Sequence, residues 1–372
     1  MIDFLEIKDK DRVTVGIIDT ANSVIWHKKY YDVGDFEVYI QAAPKNVELL
    51  QPGNYVLRQN DDEVGIIEKI EFNFSVQNGY MLTASGRFAK SILNRRLIYS
   101  LSGTVNTPTI LSGNVETAVR QVVSDNIISC SFDNRRNIPI LALGELKGYT
   151  DVILGENGEP AQKQVSYQNL MEYTDSVLKE YKMSANLIYD DMTKKFLYTV
   201  NKGADRTSGE APVIFSVDFD NLLSSNYQYN EQPYKNAALI GGAGQDLERF
   251  YSLLTENKSG LELREIFVDA SGVNRKYREE GDTEDRTYTD AEYSSMLAQK
   301  GQEKLDAQIK QILFDGKINV SFGVWVLNRD YFLGDLVTIQ DNVINQYANV
   351  RIVETTEVQD ANGYTVDVVF GE

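Results

Sequence analysis

The chain has 372 residues, 42% of them hydrophobic and 25% charged, which is enough for two or three domains that each bury a core. Its 37 basic and 55 acidic residues give a net charge of −18, which argues against a protein that grips nucleic acid or an anionic membrane surface. One histidine and one cysteine exclude an intramolecular disulfide and Cys₂His₂ or Cys₄ zinc sites. We find neither a signal-peptide pattern nor an apolar run long enough to span a bilayer, so we expect no membrane insertion.

Residues 1–100 carry the alternating pattern of half-buried strands. Apolar residues recur at every second position in three segments: Val13/Val15/Ile17, Phe36/Val38/Ile40 and Tyr80/Leu82/Ala84. Turn signals rich in Gly, Asn and Asp separate the segments. Short strands at spacings of about ten residues predict a β-barrel or sandwich.

Residues 101–212 differ in pattern and predict a small α+β domain. Asn114 is placed to cap a helix that carries apolar residues on one face, and a second helix is predicted from near Ser166. A strand pair, Ser184–Tyr189 and Lys195–Val200, follows with a turn at Asp190. We therefore expect this range to be inserted between two strand-rich parts.

Residues 213–372 return to strands, interrupted by one long helix. Strands are predicted at Val213–Phe219, Ala237–Gly241, Arg249–Leu254, Leu261–Val268, Ile318–Phe322, Leu336–Ile339, Val350–Val353 and Tyr364–Phe370. A capping box, Thr289 to Glu292, opens a helix predicted over 290–313. Because both ends of the chain have the same character, the sequence predicts a mainly β fold with α+β insertions and two related barrels.

Few residues are candidates for chemistry. His27 has no histidine partner and no evident second group to position it, which favours a structural or surface role. Cys130 lies among apolar neighbours, which favours a buried, unreactive thiol. The run Ile240–Gln245 follows a strand, but Leu247 stands where a dinucleotide fingerprint has its third glycine. We interpret that run as a glycine-rich turn or bulge.

Acidic pairs recur along the chain, at Asp61-Asp62, Asp190-Asp191 and Asp218-x-Asp220. A glycosidase needs two carboxylates at a defined separation, but nothing distinguishes one pair from the others. Leu223 stands where a calcium-binding loop starting at Asp218 would have its glycine. We therefore predict no catalytic, cofactor-binding or metal-binding residues, and no enzyme activity.

Tyrosine is unusually frequent, with 22 residues against 15 Phe and 2 Trp. It is densest at Tyr30-Tyr31, Tyr227-x-Tyr229 and Tyr234. An apolar ring with a polar tip suits subunit interfaces and also stacks on sugars. No tryptophan-rich platform accompanies these residues, so an interface is the favoured interpretation.

Four segments resemble, in order, the signatures of the tail-hub proteins of long-tailed phages and prophages. They are Trp26–Ile40, Val64–Glu71, Ser85–Arg96 and Asp330–Ile339, the last being similar to the Leu-Gly-Asp-x-Val strand opening of the hub's second barrel. The resemblance covers nearly the whole chain, although residues 101–212 carry no matching motif.

This resemblance implies two antiparallel β-barrels of tail-tube type, in residues 1–100 and 213–372, with 101–212 as a peripheral α+β domain. It also implies a homotrimeric ring whose six barrels give pseudo-sixfold symmetry and dock on a sixfold tail tube. The implied partners are the tail tube or distal tail protein, tip or fibre proteins, and DNA that passes through without specific binding. The implied location is the virion tail, after synthesis in the bacterial cytoplasm.

Two alternatives stay open. One is an acidic carbohydrate-binding or carbohydrate-active protein that uses tyrosines and carboxylates. The other is the hub of a different injection or secretion system, which would share the fold.

Overall fold

The structure, a computed structural model, is mainly β and describes all residues except 1, 3, 60, 156–158, 256–257, 278–283, 320–323, 344 and 372. The strands are β1 (Leu5–Lys8), β2 (Thr14–Ile18), β3 (Ser23–Lys29), β4 (Asp35–Gln41), β5 (Tyr55–Arg58), β6 (Gly65–Ile66), β7 (Lys69–Ser75), β8 (Gly79–Arg87), β9 (Leu101–Ser102), β10 (Val105–Asn106), β11 (Thr109–Ser112), β12 (Leu141–Leu143), β13 (Gln162–Val165), β14 (Ser184–Asp190), β15 (Lys195–Asn201), β16 (Ile214–Ser216), β17 (Leu222–Asn230), β18 (Ala237–Gly241), β19 (Tyr251–Thr255), β20 (Glu265–Asp269), β21 (Lys276–Tyr277), β22 (Arg286–Thr287), β23 (Gln311–Ile318), β24 (Leu336–Asp341), β25 (Gln346–Asp360) and β26 (Gly363–Gly371). The α-helices are α1 (Pro44–Leu49), α2 (Val115–Val123), α3 (Leu170–Glu180) and α4 (Asp290–Asp306). Short 3₁₀ or π turns lie at Ala89–Arg95, Ser124–Ile128, Asn134–Arg136, Val217–Phe219, Asp246–Glu248 and Gly260–Glu262. The predicted mainly β class is confirmed.

The chain forms two compact units. The first comprises residues 1–226 together with 314–372, and the second comprises 227–313. These boundaries differ from the predicted ranges 1–100, 101–212 and 213–372. The predicted three-part division stays a prediction.

Strands from both ends of the chain join one ten-stranded sheet, which we call the large sheet. Its main path of eight strands runs β17-β23-β26-β25-β3-β4-β8-β7, and β24 pairs with β25 and carries β16. Within the described residues, neither end of the chain closes a barrel of its own. The two predicted barrels therefore stay a prediction.

The long strand β25 connects the two ends of the chain. Its first part, Gln346–Arg351, pairs with β24, and its second part, Glu354–Gln359, pairs with β3. The hairpin partner β26 runs along the other edge of β25, with a bulge between Ile352 and Glu354. A bulge adds local twist, so β25 changes its partner where its direction changes.

Apolar residues on the inner face of the large sheet form the first core. Trp26, Phe36 and Phe88 are buried together, with the Trp26 ring centre 5.7 Å from Phe36 and 4.8 Å from Phe88. Aromatic rings at these tilted separations contribute about 0.5–1.5 kcal/mol per pair beyond burial. The alternating apolar residues that predict these strands, such as Phe36, Val38 and Ile40 on β4, are therefore the residues buried in this core.

The middle of the chain folds largely as predicted. Asn114 caps α2 by accepting the Thr117 N–H at 2.9 Å. The second helix begins at Leu170, capped by Asn169, and so starts later than the predicted Ser166. The predicted strand pair is β14 and β15, joined through the turn at Asp190.

The predicted helix over 290–313 is wrong at its C-terminal end. The Thr289–Glu292 capping box is present, but α4 ends at Asp306 and β23 begins at Gln311. Residues 314–318 pair with β26, and this ladder outweighs the helical spacing of Ile309 and Ile312. Of the strand predicted over 318–322, Val320 and Phe322 lie outside the described residues.

The second unit is a small two-layer structure. A three-stranded sheet, ordered β19-β18-β20, packs one face on α4 through Ala238, Ile240, Tyr293 and Leu297. A Cβ atom on Gly301 would lie 2.8 Å from the Ile240 side chain, so the glycine allows helix and sheet to approach closely.

Tyr30 connects the three sequence regions of the first unit. Its ring lies over Gly334, where a Cβ would come within 2.1 Å of the ring and where φ is +93°. Its hydroxyl donates to the carbonyl oxygens of Lys182 (3.1 Å) and Asn201 (3.2 Å), which share the proton, and accepts the Gly203 N–H at 3.1 Å. Two of the hub-like sequence segments thus meet at a single side chain.

We expect Tyr30→Phe to lower the free energy of unfolding by about 2 kcal/mol, because three backbone groups lose a hydrogen-bond partner. Tyr31→Phe is the matched control, since the Tyr31 hydroxyl bonds no backbone group within the described structure. Its effect should stay within about 0.5 kcal/mol. Denaturant unfolding of both variants measures the difference, and equal losses would show that the Tyr30 hydroxyl has no special role.

Candidate functional site

The candidate functional surface is the outer face of the large sheet, which we call the polar face. In the central rows, the side chains that point away from the core are mostly polar, as in the row Asp367, Thr356, His27, Asp35 and Arg87 across β26, β25, β3, β4 and β8. Because side chains alternate along a strand, a mostly polar face, interrupted by Ile25 and Val358, lies directly behind the apolar core.

The polar face carries more acidic than basic side chains. By strand register, its described charged residues are the six acids Asp35, Glu37, Glu71, Glu354, Asp360 and Asp367 and the five bases Lys29, Lys69, Arg87, Lys317 and Arg351. The difference is −1 per chain with neutral histidine. Glu37 lies exposed near the middle of this face.

His27 lies on the polar face between two carboxylates. Its Nδ1 is 3.2 Å from Asp35 on β4, and its Nε2 is 2.9 Å from Glu354 on β25. The predicted structural or surface role fits this position, because the imidazole bridges three neighbouring strands. The two flanking carboxylates, however, are partners that the sequence did not indicate.

A buried ion network lies on the opposite, inner side of the same strands. The Arg58 guanidinium donates to both carboxylate oxygens of Glu357, at 2.7 and 2.5 Å, and Tyr364 also donates to Glu357. Lys28 Nζ lies 3.1 Å from Asp61. Burial alone would raise the pKa of Glu357, but the Arg58 and Tyr364 contacts outweigh it and lower that pKa. The network ties β5 and β3 to β25.

Glu63, beside this network, differs from Glu357 because its pKa is raised and not lowered. It is 8% exposed, and burial raises its pKa from 4.5 to about 7 although Lys28 opposes the shift. It lines a cavity of about 360 Å³ together with Lys90, Asn186 and Asp335. Asp175, which pairs with Lys90 at 2.9 Å, is mostly buried, and desolvation raises its pKa to about 6. Glu63, which lines the cavity, and Asp175, which contacts the cavity residue Lys90, therefore hold protons more tightly than ordinary acids.

Other residues considered from the sequence have structural positions. Cys130 is buried, as predicted. Gly241 ends β18 and residues 242–244 follow it as a turn, and the Arg249 guanidinium donates to the carbonyl oxygens of Gly241 (2.9 Å) and Gly242 (3.2 Å). This agrees with the interpretation as a glycine-rich turn, because an arginine fills the space beside the loop.

The acidic pairs separate in the fold. Asp61 is in the buried network, Asp190 caps its own turn through the N–H groups of Met192 and Thr193, and Asp191 pairs with Lys8 at 3.0 Å. The part of the chain that the structure describes contains no group of three or more His, Cys, Asp or Glu side chains suited to a metal ion. No described helix has the length and apolarity to cross a membrane.

The tyrosine clusters do not share one role. Tyr30 is only 4% exposed and belongs to the core, so the prediction of an interface is wrong for this residue. Tyr229 is 47% exposed and donates to Glu231, which also pairs with Arg264 (2.7 Å) and Lys310 (2.8 Å). These three contacts lower the pKa of the partly exposed Glu231 carboxyl to about 2.

We expect the free energy of unfolding to fall as pH rises from about 4.5 to 7. In this range the folded protein keeps Glu63 protonated, whereas the unfolded chain releases that proton and is favoured by rising pH. The difference between the two pKa values corresponds to about 3 kcal/mol. Glu63→Gln should remove this pH dependence. Its free energy of unfolding should therefore rise by about that amount relative to the wild type between pH 5 and pH 8. Asp62→Asn changes an adjacent exposed carboxylate and is the control. Urea unfolding across this pH range measures the effect, and parallel curves for wild type and Glu63→Gln would contradict it.

The fold and the sequence can now be compared with known proteins. The structure is similar to the 43 kDa tail protein of prophage MuSo2 from Shewanella oneidensis, with 11% identity, coverage of 99% of this chain and 98% of that chain, and a TM-score of 0.56. It is equally similar to the tail protein from Neisseria meningitidis MC58, with 12% identity, 99% and 96% coverage, and a TM-score of 0.56. Comparison with curated protein sequences gives no match.

The two structural likenesses show a shared fold. The resemblance to the tail proteins of phages and prophages, first indicated by the four sequence segments, is confirmed by a family match. That match runs over residues 4–372, which is nearly the whole chain. The chain belongs to the family described as Siphovirus ReqiPepy6 Gp37-like protein.

Proposed function

We propose that the protein is a structural component of a phage or prophage tail, and specifically the hub at the tail tip. Its family and its shared fold with two tail proteins, one of them from a prophage, support the tail role. In this proposal three copies form a ring of pseudo-sixfold symmetry that joins the tail tube or distal tail protein to tip or fibre proteins. The chain acts by assembly and has no catalytic role.

The polar face of the large sheet is the observation that carries this proposal. An eight-stranded path with an apolar core on one side and a mostly polar side on the other suits the wall of a water-filled channel. The acidic excess on that face repels a phosphate backbone within a Debye length of about 8 Å at physiological salt. DNA would then pass without binding to the wall.

The location of the chain in assembled particles tests the proposal. A short epitope inserted between Met192 and Thr193 lies in an exposed turn, because Met192 is 95% exposed. Electron microscopy of antibody-labelled particles should show the label at the tail tip, with up to three antibodies per tail. Label along the whole tube, on the capsid, or absent from purified particles would overturn the assignment.

Labelling of particles, together with a glycan array, separates the alternatives. A hub of another injection system would label the tip of a particle without a DNA-filled capsid. A carbohydrate-binding protein would be absent from particles and would bind on a glycan array.

We expect Glu37→Lys to slow DNA ejection, because it places three new cations on the channel wall of a trimeric ring. The effect should be largest at low ionic strength and should fade above about 0.1 M salt, as screening shortens the range of the charges. Glu48→Lys makes the same charge change at an exposed position on α1 and should eject DNA at the wild-type rate. Ejection measured by dye fluorescence compares the two, and identical rates would exclude the polar face from the channel.

A further inference from the structure

Another cavity in the first unit, of about 230 Å³, differs in character from the polar cavity beside Glu63. Its walls come from three parts of the chain that are distant in sequence: β5 and β6, the turn Ala89–Arg95, and the segment before β12. The side chains of these walls are apolar or aromatic: Tyr55, Ile66, Ile92, Ile138 and Ile140. An apolar cavity of about 150 Å³ stays dry and binds benzene, so this one has room for a somewhat larger apolar group.

Two basic side chains, Lys10 and Arg95, also line this cavity, and no acidic residue does so in the described part of the chain. Both basic residues are exposed, whereas Tyr55, Ile66 and Ile92 are buried. The two cations therefore lie on the solvent side, at the mouth of the cavity. An apolar interior with a cationic mouth is the arrangement that suits an anion with an apolar body.

Neither cation at the mouth forms an ion pair among the described residues. Two neighbouring carboxylates are engaged elsewhere: both oxygens of Glu68 accept from Arg87 at 2.8 Å, and Asp9 accepts two N–H groups of its own turn. In a chain with a net charge of −18, this opening is thus a local excess of positive charge. A ligand with one anionic group would complement it.

The backbone around the mouth positions these charges. Gly53 has a φ of +87°, and a Cβ there would lie 2.8 Å from the Lys10 side chain, so the lysine stem lies closely against the glycine. Burial raises the pKa of Tyr55, and both Arg12 and Arg95 oppose that rise, which places two guanidinium groups near the Tyr55 hydroxyl. The positive charge is therefore concentrated next to the one polar side chain of the walls.

We propose that this cavity binds a small organic anion with an apolar body, of the size of a medium-chain carboxylate. The alkyl chain lies among the isoleucines, where each buried methylene contributes to binding. The carboxylate lies between Lys10 and Arg95, because charge-assisted hydrogen bonds to an ammonium and a guanidinium are stronger than neutral ones. The site is formed within one chain, so this inference is independent of the proposed role in a tail.

Calorimetric titration of the purified chain with octanoate tests the site. We expect one octanoate to bind per chain. Neutral 1-octanol and the short anion acetate should each bind at least about tenfold more weakly, because each lacks one of the two features that the cavity recognises. Equal affinities for octanoate and 1-octanol would overturn the role of the cations. No binding of octanoate up to about 5 mM would overturn the site itself.

Charge variants test the mouth of the cavity. Lys10→Met and Arg95→Met should each weaken octanoate binding about fivefold or more and leave the binding of 1-octanol unchanged. Lys304→Met removes the same charge from an exposed position on α4, in the second unit, and should bind octanoate like the wild type. Equal losses in Lys10→Met and Lys304→Met would show that octanoate responds only to the total charge, which would overturn the proposed mouth.

A cavity-filling variant and an NMR measurement test the interior. Ile138→Trp places a larger side chain at the wall and should abolish octanoate binding while the thermal midpoint stays within a few degrees of the wild type. In the unchanged protein with ¹³C-labelled isoleucine methyl groups, octanoate should shift the signals of Ile66, Ile92 and Ile138 but not that of Ile240 in the second unit. Shifts confined to exposed residues such as Ile17 would show adsorption at the surface and overturn the site.

Discussion

The fold depends on the pairing of β25 with β3, because this ladder joins the two ends of the chain in one sheet. Hydrogen bonds alone do not fix such a pairing, since a slip of one residue would exchange the two faces. The Arg58–Glu357 pair sets the register from the inner side, where a displaced Glu357 would leave two buried charges without partners. His27 between Asp35 and Glu354 marks the same register from the outer side.

Local patterns in the sequence were sufficient for most elements. The alternation at Phe36, Val38 and Ile40 predicts β4, and the Thr289–Glu292 box predicts the start of α4, because both signals act within one strand or one turn. The end of α4 was not predictable in this way. Ile309 and Ile312 continue the helical spacing, and only the presence of β26 as a partner makes the following residues a strand.

The site was less predictable because its partners are distant in sequence. His27 and Glu354 are separated by 327 residues, and Arg58 and Glu357 by 299, so no spacing rule connects them. Tyr30 and Gly334 both lie in segments that resemble hub proteins, yet the sequence does not show that one covers the other. In the structure, Gly334 is required because a Cβ would enter the Tyr30 ring, and Asp335 accepts the N–H groups of Ala204 and Phe332. The Gly334-Asp335 motif is thus explained by the close approach of the Gly334 backbone to the Tyr30 ring.

The two faces and two edges of the large sheet follow from one physical constraint. In the proposed function the large sheet lines a channel and keeps water on one face, so its apolar residues pack only on the other. Most soluble proteins then protect the sheet edges with charges, bulges or covering loops. In this chain β7 instead carries Phe72 and Phe74 past the edge of the core, which costs solubility in a monomer. In the proposed assembly a neighbouring protein would cover these residues, and the net charge of −18 keeps unassembled copies apart.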